Sequence, residues 1–399
     1  MGARAYKTEL DPNGAQVTAF LKHAGTARYA YNWGLSRQKA EHETTEKRLS
    51  VYDLQKVWVR ERPEWAAEVS AHVVRSAFAN LDRAYQNFFR RLKNGEKPGF
   101  PKFKSKKRGI GSFRLYGSVH VRGRYVQLPR IGLVRLKEHG YLPEDGVKIV
   151  SATISETAGR WFVSLAVEQE TAEPEARTEP VIGVDLGVKV LATCSDGVVY
   201  ENPRPLKMTQ RKVKRLQRAV SRRQKGSQNR KKAVRRLARA HYRVACVRRN
   251  AIHQATTAIT KRAGTVVLED LNVRGMLKNR CLAGAIGDSG FGEFRRQVEY
   301  KQAWTGGQVV IADRWLPSSK TCSCCGAVKE KLKLSERTFR CEACGFTADR
   351  DLNAAVNLRN VAVRATETVN ACEGERFRVR PVLPSEAGIL STSVCGGSV

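Results

Sequence analysis

Two short cysteine pairs constrain this chain more than any other feature. TCSCCG and FRCEACG share the form C-x-x-C-G: Cys322 and Cys325 precede Gly326, Cys341 and Cys344 precede Gly345, and fifteen residues, 326 to 340, separate the pairs. Four thiolates on two tight turns make a closed tetrahedral set, the way structural Zn²⁺ is held. Each turn must admit a left-handed residue just after its second ligand, which glycine does at no steric cost. Cys324 competes with Cys325, but only the 322/325 register puts glycine at the same point in both knuckles. A closed site leaves no position for a substrate, so the expected zinc holds structure. Ten cysteines beside no secretory signal and no membrane-length apolar run favour metal ligation and free thiols over disulfides, and a cytoplasmic protein.

The charge balance indicates the partner. Of 399 residues 72 are Lys or Arg and 38 Asp or Glu, a net charge of +34 with pI near 10.2. Folding gains nothing from such self-repulsion, so the excess implies a polyanion. At 41% hydrophobic the chain is not a disordered basic tail, and it has room for two or three domains. The excess is concentrated: between Glu201 and Glu269 there is no acidic residue and there are 21 Lys and Arg. Val213, Leu216 and Val220, then Val234, Leu237, Ala238 and Ala245, repeat at helical spacing there, which predicts a phosphate-tracking helical pair presenting Arg211, Lys212, Arg215, Arg222, Arg223, Arg235 and Arg236. A second basic stretch, KNGEKPGFPKFKSKKRG, interleaves Lys102, Lys104, Lys106 and Lys107 with Phe100 and Phe103.

Elsewhere the pattern changes with position. Residues 14 to 95 read as helical, with RYAYNWGL one apolar segment and Val74, Phe78, Leu81, Tyr85, Phe88 and Leu92 one apolar stripe. Strand-like alternation follows from about 110 to 170, closed by the linker TAEPEARTEP. VIGV and KVLAT begin a new domain, with Ser195-Asp196-Gly197 as hairpin-turn chemistry. LAGAIGDSGFGEF reads as a mobile glycine-rich stretch, and the chain beyond about residue 363 as a poorly ordered tail.

Three carboxylates stand where strand and helix ends can gather them: Asp185 after VIGV, Glu269 at the end of VVL, and Asp351 before the helix-like LNAAVNL. Like charges cluster unfavourably unless a cation neutralises them. Carboxylate oxygens with open water positions suit Mg²⁺ or Mn²⁺, and two such ions clamp the attacking and leaving oxygens of a phosphodiester. On spacing alone each acid also has a plain structural role, with Asp270 and Asp349 as neighbouring candidates.

GVDLGVKVLAT, VVLEDLNVRGM, LPSSKTCSCCG and CGFTADRDLNAAVNL, in this order, resemble successive motifs of the TnpB family, insertion-sequence-encoded RNA-guided DNA endonucleases related to compact type V CRISPR effectors. The resemblance covers about residues 1 to 360. It implies a multidomain α+β and α/β chain: a β-barrel-like wedge domain (1–13 and 105–172), a helical recognition domain (14–104), a RuvC-like, RNase H-type nuclease domain (178–317 and 346–362) and an inserted zinc ribbon (318–345), with 363–399 as the tail. By motif match Asp185, Glu269 and Asp351 are the metal-binding catalytic triad, holding two Mg²⁺ or Mn²⁺, and Arg350 contacts the scissile phosphate. Asp270 and Asp349 are then left as turn and cap. The implied partners are a guide RNA, one chain per guide, and target double-stranded DNA next to a short motif, with action at a prokaryotic nucleoid. An RNA-guided binding or transposition accessory protein, and a guide-independent nuclease selective for branched DNA, are the alternatives. Retention of all three carboxylates argues against a binding-only chain.

Overall fold

The computed structural model describes residues 2–142, 147–169, 174–333 and 335–369. These form two compact units that divide at residues 171 and 172.

The first unit begins with strand β1 (Gly2–Asp11) and helix α1 (Gly14–Thr45). Asn13 starts the helix through a capping box: its side chain accepts from the Gln16 amide, and Gln16 Oε1 accepts from its own. α2 (Val51–Glu61) and α3 (Ala71–Lys93) follow. Val74, Phe78, Leu81 and Tyr85 of the expected stripe are buried with Tyr31 and Leu35, whereas Leu92 is exposed. Strands β2 (Ser112–Tyr116), β3 (His120–Arg122), β4 (Tyr125–Leu128), β5 (Gly132–Leu136), β6 (Lys148–Thr157) and β7 (Arg160–Gln169) join β1 in one antiparallel sheet ordered β2-β6-β7-β1-β5-β4-β3. β1 is central, paired with β7 from Gly2↔Gln169 to Leu10↔Trp161. The helical segment expected as a separate domain shares a core with this sheet: Phe20, Ala24, Val69 and Val73 pack with Leu10, Phe113 and Trp161. The sheet's apolar face needs a cover, and α1 follows β1 closely enough to supply it.

The second unit is built on β8 (Val181–Leu186), β9 (Val190–Cys194), β10 (Val199–Glu201), β11 (Thr265–Glu269) and β12 (Gln308–Ala312), ordered β10-β9-β8-β11-β12. β8, β11 and β12 are parallel to one another, and β9 and β10 are antiparallel additions. The Ser195-Asp196-Gly197 turn forms as read, with Gly197 at φ 85° and Cys194 N–H donating to the Val198 carbonyl at 2.9 Å. Helices α4 (Pro205–Ser221) and α5 (Gln228–Arg262) make the basic hairpin. They are followed by α6 (Val273–Met276), α7 (Ala283–Ser289) and α8 (Phe291–Thr305). A two-stranded ribbon, β13 (Thr338–Arg340) with β14 (Thr347–Asp349), leads into α9 (Arg350–Val369). β11 is buried on both faces. Val266 and Leu268 pack against Ile252, Ile259, Phe294 and Val298 of α5 and α8, and Val267 packs against Leu358 and Ala362 of α9.

Two expectations are corrected. LAGAIGDSGFGEF is ordered as α7 and the start of α8, divided by Gly290 at φ 70°. Its glycines are separated by Ile286, Phe291 and Phe294, all buried anchors. Residues 363 to 369, expected as the start of a poorly ordered tail, instead continue α9 to Val369; the rest of that expectation, residues 370–399, lies outside the described residues. No described helix is long and apolar enough to cross a membrane.

Candidate functional site

Asp185 is the penultimate residue of β8 and Glu269 the last of β11, and the parallel register Val184↔Leu268 puts them side by side on adjacent strands. Asp351 arrives from the first turn of α9, which crosses β8 at very short range. A Cβ built on Gly183 would lie 2.1 Å from the Ala355 carbonyl oxygen and 2.4 Å from the Arg359 nitrogen. Only glycine permits that approach, which brings Asp351, one turn before Ala355, towards Asp185. The electrostatics record the convergence. Burial, then the charges of Glu269 and Asp351, push the Asp185 carboxyl up to about 7, partly opposed by Arg350.

Neighbouring groups fix two of the three acids, Glu269 and Asp351. Ser318 Oγ donates to Glu269 Oε1 at 2.7 Å. Arg350 lies against Asp351 Oδ1 at 3.3 Å and donates to the Glu336 carbonyl at 3.2 Å, with Arg337 3.9 Å from Asp351 Oδ2. The two other acids have the plain roles expected of them. Asp349 caps α9, its Oδ1 accepting from the amides of Asp351 and Leu352 at 2.9 and 3.1 Å. Asp270, at the turn after β11, carries ion pairs to Arg295 and Arg314.

The cysteine set is tighter. The four sulfurs of Cys322, Cys325, Cys341 and Cys344 lie within 4.8 Å of one another and could hold a zinc ion; among the described residues this is the only such group of His, Cys, Asp and Glu ligand atoms, and Asp185, Glu269 and Asp351 do not draw together as tightly. Both knuckles have the same construction. Gly326 and Gly345 are left-handed at φ 79° and 72°, and their amides donate to the carbonyls of Cys322 and Cys341 at 2.9 and 3.1 Å. Cys324 is exposed outside the cluster. The Cys344 amide pulls the Cys341 thiol down to about 7, while hydrogen bonds among the neighbouring thiols push Cys344 up to about 12 and raise Cys325, so the four sulfurs share their protons unevenly. Sequence reading missed the link from the ribbon to the helix. Asn353 and Asn357, one turn apart on α9, hold the chain entering the first knuckle: Asn353 Nδ2 to the Thr321 carbonyl at 2.7 Å, the Ser323 amide to Asn353 Oδ1 at 2.9 Å, and Asn357 Nδ2 to the Ser318 carbonyl at 2.8 Å.

Arg211, Lys212, Arg215, Arg222, Arg223, Arg235 and Arg236 are all exposed on the α4–α5 hairpin. Among the described residues no ion pair involves any Lys or Arg from 207 to 243. Val234, expected in the apolar stripe, is 46% exposed, and Ala233 is buried in its place. The hairpin's fixings lie outside its own sequence pattern. Arg230 reaches back to the Val220 and Arg223 carbonyls at 2.6 and 2.9 Å, a cation at the C-terminus of α4. At the other end Asp288, 4% exposed, accepts from the amides of Leu206 and Lys207 and pairs with Arg248 of α5 at 2.8 Å. Asp288→Ala removes both cap and counter-charge, with an expected loss of about 3 kcal/mol in urea unfolding. In the first unit Lys102, Lys106 and Lys107 are exposed. Lys104 is exposed too but is not equivalent to them: its ammonium lies 3.9 Å over the Tyr31 ring, its backbone is clamped by the Asn32 side chain, and desolvation lowers its pKa.

Residues 164–280 match the family model described as a probable transposase, and residues 291–358 the Cas12f1-like TNB domain. InsQ of Escherichia coli (strain K12), provisionally named an RNA-guided DNA endonuclease, is 34% identical over 92% of this chain and 94% of its own. The chain belongs to the TnpB family. A second relative, from Streptomyces pristinaespiralis and provisionally named in the same way, is 35% identical over 91% of this chain and 90% of its own. Among solved structures, the cryo-EM Cas12f1–sgRNA–target DNA complex matches with a TM-score of 0.54 at 17% identity, covering 87% of this chain and 82% of that one, a likeness of fold. A helix-turn-helix model matches residues 1–47, where this TnpB chain has one strand followed by the single helix α1.

Proposed function

We propose that this protein is an RNA-guided DNA endonuclease of a transposon, with a RuvC-like centre at Asp185, Glu269 and Asp351. The observation that carries the reading is the meeting of two adjacent parallel strand ends, bearing Asp185 and Glu269, with the start of the helix that Gly183 admits against β8 and that bears Asp351. Relatives named as endonucleases over nearly the whole chain support it.

The donor set fits hard divalent cations. It consists of carboxylate oxygens, with the Asp185 carboxyl held protonated to about pH 7 by burial and then by the charges of Glu269 and Asp351, a repulsion that a cation would relieve. Asp185, Glu269 and Asp351 would hold two Mg²⁺ or Mn²⁺, and such ions when bound activate water and stabilise the leaving oxygen of a phosphodiester. The chain's own residues do the positioning. Ser318 orients Glu269, Gly183 admits α9 to the sheet, and Arg350 neutralises part of the acid charge beside Asp351. Arg350, beside Asp351, would be the contact to the scissile phosphate. The cysteine ribbon, with one structural Zn²⁺, anchors α9 through Asn353 and Asn357.

Sequence choice is delegated to pairing between guide RNA and one DNA strand beside a short motif, so the protein needs shape and charge more than base-reading side chains. The α4–α5 hairpin and Lys102, Lys106 and Lys107 are the backbone contacts. Neutralising Arg211, Lys212, Arg215, Arg235 and Arg236 to glutamine should lower the slope of log affinity against log salt by about 4, with little change in melting temperature. The reading itself is tested by purifying the protein with its bound RNA, sequencing that RNA, and offering a plasmid library carrying the matching target. Cutting confined to matched plasmids supports it. Tight binding without nicks would make the protein an accessory, and cutting of branched DNA without RNA would make it a structure-selective nuclease.

A further inference from the structure

Trp315 is 85% exposed, more than any other large apolar side chain among the described residues. It stands on the loop leaving β12, and the parallel register Glu269↔Ala312 places that loop at the end of the sheet where Asp185 and Glu269 emerge. The loop is pinned on both sides of the indole. Arg314 donates to the Asp270 carbonyl at 3.2 Å and pairs with its carboxylate. Asp313 Oδ1 accepts from the Trp315 amide at 2.7 Å. Leu316 packs on the Val267, Ala312 and Leu358 cluster, and Ser318 bonds Glu269. A loop fastened to Glu269 of the carboxylate centre and to the adjoining turn residue Asp270 therefore presents a flat aromatic face to solvent beside a guanidinium.

We propose that Trp315 is a stacking platform for an unpaired base of the DNA strand being cut. The proposal rests on the nuclease reading above and adds a substrate contact to it. A strand can reach clustered carboxylates only if something other than base pairing fixes it there. An indole face accepts any base without sequence preference, and Arg314 adds charge for the adjoining backbone. A platform of this kind suits an enzyme whose sequence choice is made elsewhere.

The test uses the full chain with its copurified RNA. In an Asp185→Ala background, emission is compared with and without Trp315→Phe while oligothymidylate is titrated; the difference signal isolates Trp315, and stacking should quench it. In the active protein, Trp315→Ala and Trp315→Leu should lower kcat/KM on guide-matched DNA by roughly 10- to 100-fold, mainly through KM, with melting temperature unchanged. Trp315→Phe and Trp315→Tyr should keep most of the activity. Leucine keeps apolar bulk without a π face, so recovery with leucine would overturn the stacking role. Wild-type cutting by Trp315→Ala, or an unquenched difference signal in the Asp185→Ala background when the parent protein with Asp185 restored cuts, would also overturn it, as would a change in sedimentation mass with cutting unaltered, which would mark a self-association surface. If Asp185→Ala itself cuts normally, the catalytic assignment fails, and the quenching result then stands or falls separately.

Discussion

Asp185→Ala will reduce cutting of guide-matched DNA by about 10³-fold or more, at least about 4 kcal/mol of lost transition-state stabilisation, while RNA binding and target binding persist. The size follows from the position of the group. Asp185 lies between the other two acids in the fold, paired across the sheet with the strand that carries Glu269 and crossed by the helix that carries Asp351. Removing it takes a ligand from the shared centre without touching the basic hairpin. The metal-free protein should respond in the opposite direction. The Asp185 carboxyl is raised from 3.8 to about 7 in the folded chain, so between those values the folded state holds a proton that the unfolded state has released. Stability therefore falls as pH rises through that window, reaching a cost on the order of 4 kcal/mol at pH 8. Asp185→Asn should stabilise metal-free protein at pH 8 and leave its stability unchanged below pH 4, as thermal melts in chelator would show.

Loss of the ribbon metal should have the second largest effect. One zinc per chain is expected in the purified protein and none in Cys341→Ser, read by elemental analysis. Zinc bound by four thiolates supplies on the order of 10 kcal/mol of folding free energy to a small domain, and the ribbon's own apolar support is limited to Phe339 with partly buried Ala327 and Phe346. Without the ion the two knuckles should unfold. Asn353 and Asn357 then lose the carbonyls they hold, and α9 is no longer tied at the turn that positions Asp351. Displacement by about 1 Å is enough to cost about 10²-fold in rate. A chelator that removes zinc faster than the Mg²⁺ supply changes should therefore abolish cutting even with Mg²⁺ in excess. Full activity in Cys341→Ser would show that the ribbon does not hold the helix.

The knuckles were legible from the residues because both the ligands and the turn glycines are local in sequence, so a repeated C-x-x-C-G pattern carries its own geometry. The strands of the nuclease unit were legible for a similar reason, since β-branched runs such as VVL have few other uses. The acid cluster was only half legible. Position at strand ends suggested Asp185 and Glu269, but the feature that brings Asp351 to them, Gly183 admitting the α9 backbone, is a contact between residues far apart in the chain. Asp288 was invisible for the same reason, its partners Leu206, Lys207 and Arg248 lying 40 or more residues away. The glycine-rich segment was misread because glycine content outweighed Ile286, Phe291 and Phe294, whose burial orders α7 and α8. Lys104 looked like its neighbours in the basic run, and only the fold shows its ammonium committed to Tyr31.

Two divalent ions on one set of acids is the claim from which the rest follows. An anomalous-difference map from Mn²⁺-soaked crystals of the RNA-loaded protein tests it without reference to rate. Peaks bounded by Asp185, Glu269 and Asp351, lost in the Asp185→Asn, Glu269→Gln and Asp351→Asn triple variant, are the predicted result. No peak among these residues, in a protein that cuts its target in Mn²⁺, would contradict the account.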